Sequence, residues 1–369
     1  MEIKQCDKCL MDSTASDFIK NEDGSCNFCT SLISLMKSNT KTFDSNQFEA
    51  LINSIKLDSK NNDYDCIIGV SGGVDSSWVL VKAIESGLKP LAVHMDNGWN
   101  SELAQNNISN LVKTLDVDLI THVINWEEYR SLMQSFFDAN VLDVELLYDN
   151  AMLAVNYQLA NKFNIKYILS GMNTSTEGMK MPVNWNWFKY DKKQIKYFSK
   201  STYLKSIKTF PAIGTLDYIY YRFFKKINWI HFLDYLDFNK EDALIELEKK
   251  YGYKRYPYKH YESVFTRFYQ GYILPKKFNV DKRKLHLSNL VITNQMKRKE
   301  ALTILKNPPY DTNELKSDID YFLKKMKWEE NDLNNYIAAK EISHESYPSE
   351  TSFWDYTLKV NSFLKKIKF

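Results

Sequence analysis

The 369-residue chain is long enough for two domains or for one large domain with additions, and its 44% hydrophobic composition is that of a folded protein. With 49 basic and 46 acidic residues, the net charge is only +3, which excludes a nucleic-acid coat protein and a polybasic membrane binder. No apolar run of about 18 residues predicts a membrane span, and Met1–Cys6 lacks the apolar core of a signal peptide, so we expect a cytoplasmic chain.

Two cysteine pairs come first along the chain. Sixteen residues separate the two Cys-x-x-Cys pairs, a spacing typical of zinc ribbons, with an iron–sulfur cluster as the alternative. A reducing compartment disfavours disulfides between them. The predicted ligands of a structural Zn²⁺ are Cys6, Cys9, Cys26 and Cys29. Cys66 lies in an apolar run, and we interpret it as a small buried side chain rather than a nucleophile.

From residue 65 onward, short apolar runs alternate with amphipathic segments, which predicts an α/β fold with a parallel sheet and helices on both faces. The predicted strands cover 65–70, 90–95, 119–124 and 167–170, and the predicted helices cover 75–85, 101–114, 127–137 and 150–162. Ligands of such sheets bind at the carboxyl ends of the strands. Functional residues are therefore expected directly after the strands.

The chain changes character after residue 180. The lysines between 189 and 208 are predicted to form a solvated or partner-facing surface, and 218–236 a buried aromatic helix. Further helices are predicted over 238–307, 312–326 and 351–367. The expected domains are a zinc-binding module (1–35), an ATP-binding α/β domain (36–180), a substrate-binding region (181–310) and C-terminal helices (311–369).

The strongest chemical signal follows the first strand, where the chain reads Ser-Gly-Gly-Val-Asp-Ser from Ser71 to Ser76. Consecutive glycines let a backbone approach phosphate closely, and the free N–H groups at the start of the next helix favour an anion. Asp75 would repel bare phosphate, so it is expected to act through Mg²⁺ or by fixing the loop. The alternative is a glycine turn that binds nothing.

This loop lacks the Gly-Lys-Ser/Thr ending of a Walker A motif and resembles the PP-loop ATP pyrophosphatases instead. Members of that family split ATP between the α and β phosphates and adenylylate a substrate oxygen. The ATP-binding residues that the resemblance implies are Val70, Ser71, Gly72, Gly73, Asp75, Ser76, His94, Met95, Asp96, Gly171 and Asn173. For the stretch from His94 onward, a strand end with an Asn-Gly turn is the alternative.

Later motifs carry a more specific resemblance. The first cysteine pair continues as Cys-Leu-Met, 259–263 reads Lys-His-Tyr-Glu-Ser, 266–271 reads Thr-Arg-Phe-Tyr-Gln-Gly and 281–288 reads Asp-Lys-Arg-Lys-Leu-His-Leu-Ser. Over roughly residues 1–310, the chain resembles the N-acetyl sugar amidotransferases of surface-polysaccharide biosynthesis. The resemblance implies that ATP activates the N-acetyl carbonyl of a nucleotide-linked sugar, and that ammonia then displaces AMP to leave an acetamidino group.

The resemblance also implies residue roles and partners. The implied catalytic residues are Asp75, Ser76, Lys259, His260 and Arg267, and the implied substrate-binding residues are Glu262, Gln270, Lys282, Arg283 and His286. Without the resemblance, 266–270 is an ordinary helix face and 282–284 a charged turn. Ammonia would come from a separate glutaminase and cyclase-like pair, because no unassigned exposed cysteine remains to hydrolyse glutamine. An oligomer is compatible with the sequence.

Two other functions compete with this interpretation. A transfer-RNA modifying enzyme of the thiolation type also combines a PP-loop with cysteine pairs, but the near-neutral charge and the lack of spare cysteines argue against it. A non-catalytic scaffold is the third hypothesis, and the intact Ser-Gly-Gly-Val-Asp-Ser loop argues against it. RNA binding that weakens steeply with salt would favour the first of these alternatives.

Overall fold

The computed structural model describes residues 3–38, 45–204, 206–256, 261–309 and 311–367. Lys259 and His260, two of the predicted catalytic residues, lie outside the described residues, as does Lys205 of the predicted lysine surface. The roles of Lys259 and His260 therefore stay predictions.

A parallel sheet forms the centre of the described chain. Its strands are β1 (Cys66–Gly69), β2 (Pro90–Asp96), β3 (Leu119–Val123), β4 (Tyr167–Ser170) and β5 (Asn228–His231). They pair in the order β3-β2-β1-β4-β5, and every pair is parallel. The order reverses between β1 and β4, so the segments that follow these strands diverge and leave a crevice at the carboxyl edge. The predicted α/β fold class is confirmed.

Helices connect the strands and continue to the end of the described chain. They are α1 (Asn27–Ser38), α2 (Ser45–Asp58), α3 (Val74–Glu85), α4 (Glu102–Leu115), α5 (Trp126–Asp138), α6 (Leu146–Lys162), α7 (Thr174–Glu177), α8 (Lys192–Phe198), α9 (Thr215–Ile219), α10 (Lys240–Tyr251), α11 (Val264–Phe268), α12 (Leu274–Phe278), α13 (Arg283–Ile292), α14 (Arg298–Lys306), α15 (Thr312–Met326), α16 (Glu330–Ala338) and α17 (Thr351–Ile367). Among the described helices, none has both the length and the hydrophobicity needed to cross a bilayer.

The two faces of the sheet belong to different hydrophobic clusters. Cys66 and Ile68 of β1 pack with side chains of α2, α3 and α4 on one face. Ile67 points the other way, into a cluster that contains side chains of α5, α6 and α15 as well as the cysteine pairs. Because both faces are covered, the central strands are almost continuously apolar, which is why the sequence shows them so clearly.

Side-chain caps set the starts of two helices. Ser101 Oγ accepts a hydrogen bond from the backbone N–H of Ala104 and begins α4. Asn239 Oδ1 accepts from the N–H groups of Glu241 and Asp242 and begins α10. Each side chain satisfies donors that the first helical turn leaves without an intrahelical partner.

The predicted aromatic helix over 218–236 is wrong. The segment contains the end of α9, a π-helical turn at Tyr220–Phe224 and then β5. The chain turns at Lys226, whose φ is +56°, and Trp229 and Ile230 then pair with β4. The open edge of β4 offers hydrogen-bond partners that a helix in this position would leave unpaired, so sheet pairing overrides the local pattern.

Candidate active site

The Sγ atoms of the four paired cysteines lie together in a buried cluster. The Sγ–Sγ distance is 3.7 Å for Cys6 and Cys29, 3.8 Å for Cys9 and Cys26, and 3.6 Å for Cys26 and Cys29. Tetrahedral zinc with Zn–S bonds of about 2.3 Å separates its sulfur ligands by about 3.8 Å, whereas a disulfide bond is about 2.05 Å long. The cluster therefore has the geometry of a tetrahedral metal site and not of two disulfides.

Distant residues hold this cysteine module against the rest of the protein. Arg298 donates from Nη2 to the carbonyl oxygen of Cys6 at 3.0 Å and from Nε to that of Cys9 at 3.1 Å. Ser288 Oγ accepts from the N–H of Leu10 at 3.0 Å. The cluster thus shares its backbone contacts with α13 and α14, although its ligands all come from the first 29 residues.

The segment Ser71–Ser76, which we call the phosphate loop, connects β1 to the first turn of α3 and is tightly packed. Gly72 has a φ of +83°, and a Cβ at this position would lie 2.8 Å from the carbonyl oxygen of Ala104, so only glycine fits without displacement. Gly73 precedes α3 and provides no side-chain cap, which leaves the first N–H groups of the helix for a ligand. Ser76 Oγ lies 3.2 Å from Ser71 Oγ, so two hydroxyl groups face each other beside these N–H groups.

The segment after β4 packs directly against this loop. A Cβ on Gly171 would lie 2.8 Å from the carbonyl carbon of Asp75 and 2.9 Å from the nitrogen of Ser76. Asn173 is buried, accepts from the N–H of Thr176 at 2.9 Å and donates to the carbonyl oxygen of Gly171 at 3.0 Å. Gly171 therefore permits a close approach of two loops, and Asn173 holds one of them in shape.

The predicted ATP-binding residues at the end of β2 make contacts within the protein. The Nδ1 of His94 donates to the carbonyl oxygen of Val70 at 2.9 Å, and its Nε2 accepts from Asn100 at 3.0 Å. Met95 is buried. Asp96 accepts from Asn100 at 3.2 Å and shapes the turn that follows. These contacts join the ends of β1 and β2, and the roles of the three residues in ATP binding stay predictions.

A cleft of about 350 Å³ opens on one side of the phosphate loop. It is lined by loop residues and Gly171. Two cations also line it: Lys240 at the start of α10 and Arg255, four residues after the end of this helix. Arg255 also pairs with Glu241 and Glu248. The sequence analysis missed both cations, because nothing in the local sequence shows that α10 packs beside a loop more than 160 residues away.

A second cavity, of about 280 Å³, shares Ser71 and Glu262 with this cleft and reaches the C-terminal part of the chain. Ser71 lines it together with four of the predicted substrate-binding residues. These are Glu262, Gln270, Lys282 and His286. The structure therefore brings these residues, which lie 191 to 215 positions after Ser71, to a common cavity with the loop.

Glu145 organises the wall of this second cavity. Its carboxylate accepts from Gln270 Nε2 at 2.9 Å and from Lys282 Nζ at 3.1 Å, and the side chains of Glu145 and Lys282 are only 10% and 9% exposed. Burial of a paired charge requires such complete hydrogen bonding. Glu145 was missed by the sequence analysis, since a single glutamate before a helix gives no signal.

Lys189 lies inside the protein, so its assignment to a solvated surface is wrong. Its Nζ contacts Asp143 at 2.6 Å and Asp149 at 2.8 Å. Burial raises the pKa of Asp149, and Lys189 opposes this rise. Burial also acts on Asp143, but the nearby cations outweigh it and lower the pKa of that carboxyl. Asp149 keeps 38% of its side-chain surface accessible because the cavity reaches it.

Two predicted site residues point away from the loop. Arg267 donates to both carboxylate oxygens of Asp318, at 2.6 and 2.7 Å, and its guanidinium lies over the ring of Tyr261 at 4.2 Å. Arg283 pairs with Asp281 at 2.8 Å and donates to a backbone carbonyl oxygen. In the structure both arginines connect C-terminal helices, and their catalytic or substrate-binding roles stay predictions.

Residues 262–361 match the family described as "LPS biosynthesis protein WbpG-like, C-terminal domain". We refer to this part of the chain as the WbpG-like domain, after the family that it matches. It begins at Glu262 and contains Gln270, Lys282 and His286, so it contributes one wall of the second cavity. The resemblance to a polysaccharide-related family is thereby confirmed. Among curated proteins, none matches this chain in sequence.

Several solved structures are similar to the chain at low identity. The NH3-dependent NAD synthetase from Campylobacter jejuni is 16% identical, with 57% of this chain and 94% of that chain covered and a TM-score of 0.29. The NMN synthetase from Francisella tularensis is 16% identical, with 59% and 99% covered and a TM-score of 0.30. A glutamine-dependent NAD+ synthetase from Acinetobacter baumannii is 14% identical, with 72% and 44% covered and a TM-score of 0.31. The fold class rests on the strand order rather than on these scores.

Proposed function

We propose that this protein is an ATP-dependent amidotransferase of lipopolysaccharide biosynthesis, which converts the N-acetyl group of a nucleotide-linked sugar into an acetamidino group. The observation that carries the proposal is the cavity shared by Ser71 of the phosphate loop and four polar residues of the WbpG-like domain. A phosphate loop and a lipopolysaccharide-related domain thus face the same space.

The loop is suited to the polyphosphate of ATP. The N–H groups in the first turn of α3 and the hydroxyls of Ser71 and Ser76 are suited to donate to phosphate oxygens. Lys240 and Arg255 add positive charge at the cleft on one side. Asp75 would hold Mg²⁺ together with the phosphates, and the metal would neutralise the charge of the pyrophosphate that leaves.

The reaction exchanges one atom group. The amide oxygen of the acetyl group attacks the α-phosphorus of ATP, the bond to pyrophosphate breaks, and loss of the amide N–H proton to solvent leaves a neutral O-adenylyl imidate. Ammonia then adds to the imidate carbon, and the carbon–oxygen bond breaks so that its electron pair leaves with AMP. One proton of the attacking nitrogen passes to the imidate nitrogen, which leaves a positively charged amidine. Adenylylation is needed because amide oxygen is otherwise a poor leaving group.

The cysteines argue for ammonia as an external nucleophile. Four of them form the metal-type cluster, and Cys66 is fully buried in β1, where burial raises the pKa of its thiol. Neither glutamine hydrolysis nor sulfur transfer is served by a buried thiol of raised pKa. We therefore propose that a separate glutaminase and cyclase-like pair supplies ammonia, and that transfer-RNA thiolation is the weaker alternative.

We further propose that Zn²⁺ occupies the cysteine cluster in a structural role. The four Sγ atoms fill a tetrahedral set, so no position remains open for a water or a substrate. The metal would tie the first 29 residues to the carbonyl-binding Arg298 and thereby to the WbpG-like domain.

Product analysis tests the proposed function. The protein is incubated with ATP, Mg²⁺, ammonium and a panel of nucleotide-linked N-acetyl sugars, and the products are analysed by mass spectrometry. We expect a sugar product in which NH replaces O, together with AMP and pyrophosphate. Asp75→Asn should abolish the product, whereas Asp63→Asn, at an exposed carboxylate outside the cavities, should not. Formation of ADP, or no altered sugar even with the glutaminase partners added, contradicts the proposal.

A further inference from the structure

A larger cavity, of about 720 Å³, adjoins the site at the carboxyl ends of β4 and β5. Met172 and Glu177 line it after β4, and Trp229 and His231 line it on β5. Its volume lies within the usual range for small-molecule sites. Of the substrate-binding residues predicted from the sequence, His286 alone is among the described residues that line this cavity.

The large cavity communicates with the phosphate-loop site. Asp149, Asn186, Lys189 and His286 line both this cavity and the one that contains Ser71. Glu177 lines both the large cavity and the 350 Å³ cleft that contains Lys240 and Arg255. A ligand that fills the large cavity therefore has one end at the polar wall beside the loop.

Aromatic rings form much of the cavity's surface. Tyr157, Tyr190, Tyr218 and Trp229 line it, and the rings of Tyr157 and Trp229 lie 5.7 Å apart. Aromatic faces are apolar, whereas their hydroxyl and indole groups are polar, so such a wall suits a ligand with apolar C–H faces and hydroxyl edges. The rings of a sugar and of a nucleobase both have this character.

A guanidinium and an imidazole lie at the outer part of the cavity. Arg222 lines it from the π-helical turn and is exposed to solvent, and His231 is 47% exposed at the end of β5. A guanidinium binds phosphate oxygens with paired hydrogen bonds. The cavity thus combines an outer phosphate-binding group, aromatic middle walls and a polar inner end.

We propose that this cavity binds the nucleotide-linked sugar, with the diphosphate at Arg222, the sugar ring along Tyr218 and Trp229, and the acetamido group at the inner wall beside the loop. The assignment rests on the proposed function and extends it to residues that the motifs do not contain. ATP is assigned elsewhere, because the described lining of this cavity includes none of residues 71–76. The acceptor then approaches the α-phosphate from the β4 side.

Two variants at exposed lining residues test the assignment without disturbing the core. Arg222→Glu reverses the charge of the outer group, and Met172→Trp fills the cavity from a side chain that is 50% exposed. The matched controls are Lys113→Glu on α4 and Leu57→Trp on α2, which are exposed and do not line the cavity. Calorimetry measures the binding of UDP-N-acetylglucosamine and, separately, of ATP.

We expect each cavity variant to weaken nucleotide-sugar binding by about tenfold or more. Arg222→Glu removes a charge-assisted contact, and Met172→Trp occupies space that the ligand needs. ATP binding should stay unchanged in both variants, and both controls should bind both ligands like the wild-type protein. Unchanged sugar binding in both variants overturns the assignment even if the wild-type protein makes amidine, and the proposed function then survives. A loss of ATP binding alone also overturns it. If the wild-type protein makes no amidine but both variants lose sugar binding, the cavity assignment stands and the proposed reaction is wrong.

Discussion

The cysteine cluster and the cavities at the phosphate loop are built in opposite ways. All four cysteines lie within residues 6–29, so one short segment contains the complete ligand set. The cavity walls combine Ser71 with residues as distant as His286, and they exist only after the sheet and the WbpG-like domain have packed together. The comparison shows that a local motif predicts its own ligands, whereas a motif at a sheet edge predicts only one wall of its site.

Loss of the proposed metal should have the largest effect on the cysteine cluster. Cys9→Ser is expected to abolish stoichiometric metal binding and to unfold the N-terminal segment, because structural zinc contributes on the order of 10 kcal/mol to such modules. Metal analysis and limited proteolysis measure the two effects. Cys66→Ser, at the buried cysteine outside the cluster, should retain the metal. Full metal content in the Cys9 variant would contradict the predicted ligand set.

Among changes at the cavity walls, loss of Lys189 should have the largest effect. Lys189→Met removes the cation that contacts the buried carboxylate of Asp143, and we expect a loss of about 3–5 kcal/mol in the free energy of unfolding. Urea unfolding measures it. Lys193→Met, at an exposed lysine nearby in sequence, should change little. The double variant Lys189→Met with Asp143→Asn should recover part of the loss, and no recovery would mean that the two side chains act independently.

Gly72→Ala tests whether the loop needs the close approach seen in the structure. Both the φ of +83° and the contact with the carbonyl oxygen of Ala104 oppose a Cβ, so we expect amidine formation to fall on the order of a hundredfold, comparable to the loss of preorganised donors. Gly87→Ala is the matched control, since its φ is +72° but its Cβ would meet only the flexible end of Lys56. Equal losses in both variants would assign the effect to backbone strain alone.

Lowering the pH should reduce the stability of the protein through His344. This ring lies behind the cavity wall, donates to Gln194 and accepts from the N–H of Asp143, and burial lowers its pKa to about 4. Between pH 6.5 and 4 the unfolded chain binds a proton that the native ring does not, so stability is full above pH 6.5 and falls with pH. We expect a loss of about 2 kcal/mol between pH 6.5 and 5 from this residue.

Urea unfolding at several pH values measures this dependence. His344→Gln keeps a polar side chain but removes the titrating ring, so the slope of stability against pH over this interval should become shallower. Asp143 and Lys189 also act on the ring, so the experiment compares slopes and not absolute stabilities. An identical slope in the variant would place the acid sensitivity elsewhere in the protein.

The sequence by itself determined the elements whose signals are local. Continuous apolar runs predicted β1, β2 and β4, and the cysteine spacing predicted the metal-type cluster. The phosphate loop belongs to this group, since its glycines are needed for contacts within a few residues of β1 and with one neighbouring helix. Chain geometry over short distances decides each of these features.

Only the tertiary structure decided which residues share the loop's cavities. It added β5 at the open edge of β4, buried Lys189 between two carboxylates, and placed Glu145 between Gln270 and Lys282. The reason is physical: a strand at a sheet edge and a buried ion pair are stabilised by partners that lie far away in the chain. The local sequence of such a strand or charged residue does not identify these partners, because the stabilising free energy arises only when the two distant segments are in contact.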